Sequence, residues 1–585
     1  MFRRILFPSI LSLTLILGFA PQIALAQVDF IDYAHAREKL GLDDVTYHKF
    51  DRKQVEPISG PMDLDKPGTR YVLQNDVSSE GTAFVFKGAH ITLDLNGHTV
   101  EYGTAAKGKS HGVTSEGYHR SDNAVINGRI VQSQNVSKGD KQFKGSSPIN
   151  LSRGIADIEL AGLTLEYHSA QTVAIVMPWG SGSIHHNVVR DKGTVVLDRK
   201  HGFSAIGVER GSNMEVYNNF LERVRQGGIS PGNDKTVCQN NIINIDSVAT
   251  NSFGVCYYGQ GDWENDYWLC EGNVIRGVGM HPIGIGVVSN TANGIVRSND
   301  VEVMTTRLSS EYKGTSAAAA YRTHWGADNI LIENNRFVCL GAVRSVEGRD
   351  SWGRAVWAAI DEGQKMLFKD NVITGVSADG NAKVPAVAVC GNNKSSGLRF
   401  EHNTMSSSWA NVLLADSYGS SEGYPEFSGN EFIRLKEFPG YRTIRSDAKY
   451  FVATGVFTDN VMKDGASRES INMQLDGGKL RDVRFMTTHI VHAVSNGAPL
   501  AHASVTIKNL SGEIAATGET NDDGTFKAAL LDYGVTNAKH APLGKMLGQG
   551  RYTASPYGIT VMSGGMQGEG SFAQDSPYSV TVEVK

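Results

Sequence analysis

Phe368-Lys369-Asp370-Asn371-Val372-Ile373 is one of ten copies of a phrase spread between residues 184 and 462: an apolar residue, two variable ones, an asparagine, then an apolar residue two places on. The asparagines are Asn187, Asn219, Asn241, Asn273, Asn299, Asn335, Asn371, Asn403, Asn430 and Asn460. The preceding apolar column runs from Ile184 to Phe457 and the following one from Val189 to Met462, with no polar exception. Intervals of 22 to 36 residues are solenoid spacing, with insertions falling in loops. Each phrase alternates over a few residues and is punctuated by Gly and Asn, which predicts short strands rather than helices. Coils one strand spacing apart, roughly 4.8 Å, allow the asparagines to form an amide ladder and the apolar columns to stack like on like. Phe368, Phe400, Phe427 and Phe457 form the plainest stack, each worth roughly 1.5–3 kcal/mol when buried.

On these residues the chain resembles the right-handed parallel β-helix (pectate-lyase-like, or pectin lyase fold) superfamily over roughly residues 80–470. Ile91 to Val100, Val125 to Val131 and Ile158 to Leu165 read as earlier, less regular coils. The expected fold class is all-β, a β-helix over residues 81–484. From residue 485 the phrase stops, and Val494 to Ile507 and Thr517 to Phe526 read as turn-and-strand units. They resemble a carboxypeptidase-regulatory-like (transthyretin-like) β-sandwich over residues 485–585, serving to cover the open end of the helix or to bind glycan. Asp522-Asp523-Gly524 is read as a turn rather than a calcium loop. Residues 27–80 are expected to cap the other end.

Residues 1–26 read as a secretory signal peptide, with Arg3 and Arg4 before an apolar run and a small-x-small site at Ala24 to Ala26. The mature protein is therefore expected to be secreted, periplasmic or extracellular, not membrane-spanning, and monomeric. A net charge of −5 and a pI near 6.4 argue against a nucleic-acid partner. Five cysteines leave at least one unpaired. Cys238 and Cys270 share an inward column, and burial as small apolar residues is favoured there over a disulfide.

Resemblance to the superfamily implies that the substrate lies across one long sheet and the turns after it. The strands preceding the Asn phrases run Ser204 to Arg210, Gly228 to Lys235, Phe253 to Gln260, Ile283 to Asn290, Ala318 to His324, Ala355 to Gly363, Ala386 to Asn392 and Asn411 to Tyr418. Most end in polar or ionisable groups. The catalytic candidates are Asp361, Arg322, His324, Asp416 and Tyr258; the substrate-binding candidates are Glu209, Asp234, Lys235, Tyr257, Asp262, Trp263 and Glu362. Trp263, Tyr267 and Trp268 are offered for stacking on sugar rings, and Arg344, Arg349 and Arg354 for holding anionic groups.

Two mechanisms fit such a set. A glycoside hydrolase needs two carboxyl groups roughly 5–9.5 Å apart, depending on stereochemistry, which adjacent or next-but-one coils supply. Asp361 is the leading candidate, with Asp416 two coils on and Arg322 and His324 one coil before. A polysaccharide lyase acting on an acidic (uronic or sulfated) glycan needs a base and a group that neutralises the uronic carboxylate. Arg322, His324, Tyr258 and Lys235 suit it, with Asp234 or Asp262 as calcium ligands. Hydrolysis needs no cofactor; Ca2+ enters only for a lyase. The first reading is a secreted polysaccharide-degrading hydrolase. The alternatives are the lyase and a non-catalytic glycan-binding or cell-surface solenoid.

Overall fold

The computed structural model describes residues 27–585 except 106–108, 118–120, 137–145, 170–172, 195–203, 209, 233, 248–251, 259–266, 289–290, 307–316, 325, 342–351, 361–362, 378–381, 391–396, 416–419, 436–439, 447–449, 474–477 and 574–577, and the side chains of 317, 324 and 352. The chain winds as a right-handed parallel β-helix, as the repeat predicts. Each full turn visits three parallel sheets. Sheet I holds the strand before each repeat asparagine, sheet II the strand after it, and sheet III the strand that returns to the next coil. Around Asn371 these are Met366–Lys369, Val372–Ser377 and Pro385–Val389.

The asparagine turns the corner between sheets I and II. The residue before it is left-handed in every coil: His186, Asn218, Asn240, Gly272, Ser298, Asn334, Asp370, His402, Gly429 and Asp459, all with φ between 51° and 66°. Several of these are Asn, Asp, His or Gly, the residue types that tolerate this conformation best. The bend leaves main-chain groups without ladder partners, and the asparagine side chain supplies them. In the middle of the stack, Asn335 Nδ2 donates to Val296 O of the preceding coil and to Asn371 Oδ1 of the next, both at 2.9 Å. Its own Oδ1 accepts from Asn299 N at 3.0 Å and Asn299 Nδ2 at 2.9 Å. The same amide-to-amide link, at 2.9–3.0 Å, joins every neighbouring pair from Asn187 to Asn460.

Both apolar columns face inward. The sheet I column is in direct register, as in Ile332 opposite Phe368 opposite Phe400. The sheet II column from Val189 to Phe432 is fully buried, and Met462 in the last coil is partly covered. The four phenylalanines stack with ring centroids 4.6, 4.8 and 4.7 Å apart, and the stack continues through Phe485 to Tyr533. Cys238 and Cys270 oppose one another in this column as unlinked thiols; all five cysteines are free and buried.

The N-terminal region departs from the expected cap. Gln54–Ile58 and Thr69–Leu73 already pair as coil strands. Residues 27–53 instead form a strap along the outside of sheets I and II. Val28 packs on Met304, Val338 and Leu340. A short helix, Tyr33–Leu40, is capped by Asp32 and ended by left-handed Gly41, and buries Ala36 and Leu40 against Val188, Phe220, Ile242 and Val274. Tyr47 then lies on Gly162, where a Cβ would come within 2.5 Å of its hydroxyl. At the end of the strap Asp122 gathers Lys49, Arg52 and His90 at 2.5–2.9 Å.

At the far end, the strand Arg481–Ser495 pairs with Ala453–Thr458 of the last coil and runs on into the second unit, so the boundary expected at residue 485 falls inside one strand. That unit has two sheets over its own core of Val491, Val505, Ile507, Leu530, Tyr557 and Val582. Tyr533 closes the helix core, with its hydroxyl donating to Arg468 O. No described helix is long and apolar enough to cross a membrane.

Replacing Asn335 by Ala removes two donors and a doubly used acceptor from a buried ladder, so chemical denaturation should show a loss of about 2–4 kcal/mol. Asn293→Ala, which breaks an exposed amide pair with Asn329, should stay within about 0.5 kcal/mol. Burial opposes ionisation of Asp122, but Arg52, Lys49 and His90 outweigh it and hold the carboxyl well below its usual range. The folded carboxyl therefore binds its proton less tightly than the unfolded one. Its contribution is complete above about pH 4 and is lost as the pH falls further. Proteolysis of the strap should accelerate as the pH falls from about 4 to about 2, below the ordinary aspartate range, and Asp122→Asn should flatten that profile.

Candidate functional site

The strap covers parts of the outer faces of sheets I and II, which directs attention to the outside of sheet III. The strands of that sheet are two residues long at Ile175–Val176, Ile206–Gly207 and Ile229–Ser230. They lengthen to seven or eight residues over Ser252–Tyr258, Pro282–Val288, Ala317–His324 and Trp352–Ala358, then shorten again. The broad central part carries an unbroken column in register: Cys256, Gly286, Arg322, Trp357, Ala388, Leu413 and Arg445. Beside it run Tyr258, Val288 and His324.

Period-two alternation puts positions 322 and 324 on one face of the sheet, in register with Cys256 and Tyr258 two coils earlier. Of the candidates, Tyr258, Arg322 and the position of His324 are thus brought to one face. The Arg322 guanidinium lies 4.3 Å from the Trp357 ring centre, and that of buried Arg354 lies 4.4 Å from it. Three coils on, Arg445 lies 4.4 Å from the ring of Trp409, which packs outside the main core with Ala388, Ala410 and Leu413. Phe253 leans over Gly286, where a Cβ would meet its ring at 2.3 Å. An arginine stacked on an indole has its aromatic contact fixed while its N–H edge still matches carboxylate or sulfate geometry.

Two titratable groups sit within this field. Burial, together with Arg322 and Arg354, pushes His281 down to about 3, so it is a neutral imidazole at ordinary pH. Burial raises the Cys256 thiol to about 12 despite nearby Arg322, which removes it as a nucleophile.

A second basic and aromatic run follows the short strands. Arg153 and Arg210 flank Trp179 at 3.7 and 5.6 Å. One coil further, Asp234 is half-buried with Oδ1 enclosed and without a hydrogen-bond partner, and Lys235 is exposed with φ 50°.

Tyr257, expected to bind substrate, lies in the core instead. It is fully buried, its hydroxyl donates to Leu269 O at 2.8 Å and its ring stacks on Trp268 at 4.0 Å. Adjacent strand residues face opposite ways, so Tyr258 can look outward only because Tyr257 looks in. Trp268 is likewise interior, while Tyr267 is 75 % exposed. Arg354 is buried beneath Trp357 rather than open to an anion. Asp361, Glu362, Asp416, Glu209, Asp262, Trp263, Arg344 and Arg349 lie outside the described residues. Trp357, Trp409, Arg445, Trp179 and His281 went unnoticed in the sequence. Aligning strands by coil register would have revealed them, because they share columns or turns with the candidates.

No family model matches the sequence, and no curated protein matches it. Among solved structures, the tailspike protein of an E. coli bacteriophage in complex with a pentasaccharide aligns over 80% of this chain and 79% of that one, with 10% identity and a TM-score of 0.33. A DFA-IIIase from Arthrobacter chlorophenolicus in complex with DFA-III covers 72% of this chain and 99% of its own at 10% identity and a TM-score of 0.32. The A-module of a mannuronan C-5 epimerase from Azotobacter vinelandii aligns over 73% and 88% respectively, with 13% identity and a TM-score of 0.23. Likenesses of this order leave function to be argued from the site itself.

Tyr257→Phe should cost about 1–2 kcal/mol in urea unfolding, because Leu269 O loses its buried donor. Tyr258→Phe, at a position 43 % exposed, should change stability by less than about 0.5 kcal/mol.

Proposed function

We propose that this is a secreted enzyme that cleaves an extended extracellular polysaccharide lying along the outside of sheet III, by hydrolysis. One observation carries the reading: exposed Tyr258 and half-buried Arg322 and Arg445 stand on one register-aligned face, the two arginines held on the buried rings of Trp357 and Trp409. Six coil steps of roughly 4.8 Å give a strip near 29 Å, long enough for several sugar units of a linear chain. The ring of exposed Tyr258 suits the C–H face of a sugar, and the guanidinium groups of Arg322 and Arg445 suit acidic substituents.

In this reading Asp361, which follows buried Ile360 just after the Trp357 strand, is the catalytic carboxyl, with Asp416 two coils on as its partner. Arg322 and His324 position the substrate beside them. Glu209, Asp234, Lys235, Asp262, Trp263 and Glu362 extend the binding surface. The carboxypeptidase-regulatory-like character of the C-terminal unit belongs to the same proposal, as an accessory to the helix.

Exposed Tyr258, two coils before Arg322 and position 324 on the same face, favours one second reading, β-elimination on a uronic polysaccharide. There Tyr258 or His324 takes the proton next to the carboxylate, Arg322 neutralises that carboxylate, and Ca2+ would assist at Asp234 or Asp262.

Incubation with neutral, uronic and sulfated polysaccharides separates the two when new reducing ends and the absorbance of unsaturated uronides are followed together. Hydrolysis yields reducing ends without absorbance, and Asp361→Asn should then lower turnover by about 10²–10⁴-fold with glycan affinity kept. Absorbance rising with reducing ends would establish the lyase and displace Asp361. In either case Arg322→Ala should weaken binding of acidic glycans more than of neutral ones. Absence of both signals, with binding intact, would leave a glycan-binding solenoid.

A further inference from the structure

The strap is fastened to the coils at a place unrelated to sheet III. Glu159 and His185 lie on adjacent coils on the outer face of sheet I, both buried, and His48 of the strap closes over them. Glu159 is completely buried and pairs with no Lys or Arg among the described residues. Lys49, next in the strap, turns its ammonium to Asp122 and Asp157 instead. The carboxylate is held by main-chain N–H groups: His48 N donates to Oε1 at 2.6 Å and Lys49 N to Oε2 at 2.7 Å. A carboxylate has roughly four lone-pair sites, so acceptor capacity remains.

The spacing of the remaining groups is telling. His185 Nε2 stands 3.3 Å from Glu159 Oε1, long for a charge-assisted hydrogen bond. Two donors on a tetrahedral zinc, with bonds of roughly 2.0–2.1 Å, stand about 3.4 Å apart. The donor atoms of His48, Glu159 and His185 all lie within 4.8 Å of one another. The ring of His185 is clamped by Tyr217, stacked at 4.7 Å and nearly parallel, and its Nδ1 faces His186 Nδ1 at 2.9 Å. A metal-bound histidine needs such an acceptor for its second ring nitrogen.

We propose that His48, Glu159 and His185 bind one divalent transition-metal ion of the zinc class, which locks the strap to the solenoid. Two imidazoles and one carboxylate suit zinc rather than calcium or magnesium, which prefer all-oxygen sets. Exposed His48 leaves the fourth position open to water. Binding at His185 Nε2 moves its proton to Nδ1, where it donates to His186 Nδ1. His186 then carries its own proton on Nε2 and donates to Asn218, whose side chain lies 3.1 Å away and rotates to present its carbonyl. Without metal the relay runs the other way, from Asn218 through His186 and His185 to Glu159.

The purified protein, free of any histidine tag and stripped with chelator, should be titrated with Zn2+ and with Co2+. One equivalent should bind, and Co2+ should develop the intense visible absorption of a tetrahedral site. His48→Ala, an exposed change that leaves the coil interior intact, should weaken binding by more than about tenfold. At free Zn2+ about 100 times the wild-type Kd, strap proteolysis limited by opening should slow by about 100-fold in the wild type and by about tenfold or less in the variant. Absence of stoichiometric binding, or binding that His48→Ala leaves unchanged, would overturn the proposal and leave the cluster a hydrogen-bonded clasp.

Discussion

Each coil has to bend sharply between two strands, and the bend separates main-chain amides from their ladder partners inside a dry core. Unpaired, such groups cost about 1–3 kcal/mol each, repeated at every coil. Asparagine answers this because its side chain is an amide itself, with donors and an acceptor on one short stem. Stacked at the coil spacing, each asparagine satisfies the neighbour before it and is satisfied by the one after it. Aspartate in the same column would place like charges at strand separation, and serine would supply one donor where two are used. The ladder holds coils in register, and register is what makes a column of side chains into a surface.

How far the fold could be read follows from that dependence. The asparagines and their two apolar columns are local and periodic, so they were legible, and the left-handed residue before each asparagine was present as a fourth, unread column from His186 to Asp459. The strap was not legible. Its partners lie far along the chain, with Ile31 meeting Asn244 and His48 meeting Glu159, and its eight-residue helix has only Ala36 and Leu40 to mark a buried face. Strand phase was the other loss. Tyr257 and Tyr258 look alike in sequence, and only alignment with Val287 and Val288 in the next coil assigns one to the core and one to the surface. Trp357 and Arg445 read as isolated residues until register places them in the column of Arg322.

The three outer faces divide the work. Sheet II is partly roofed by the strap and elsewhere carries a charge ladder of Arg276, Asp300, Arg336 and Glu302, partly covered at Arg276 and Glu302 and more exposed at Asp300 and Arg336. Sheet I carries the clasp at Glu159 and then a row of half-covered aliphatics, Val237, Leu269, Ile295, Leu331 and Leu367. Among the described residues, sheet III alone combines long strands with a column in which arginines and tryptophan recur. The candidate site thus follows from which face the strap leaves uncovered by its own contacts as much as from the residues on it.

The strap also reverses the order in which the chain is made. It is the first of the described segments to be synthesised, yet Val28 finds its apolar partners only at Met304, Val338 and Leu340. Until those coils have wound, the head of the chain has nowhere to bind. Contacts of such sequence separation form late, because local coil-on-coil pairing does not depend on them. Winding the intervening coils shortens the loop the strap must close, and the entropy of closing even a long loop grows only with the logarithm of its length. The strap therefore behaves as a completion signal: its burial records that the solenoid behind it has been built through the coil of Leu340.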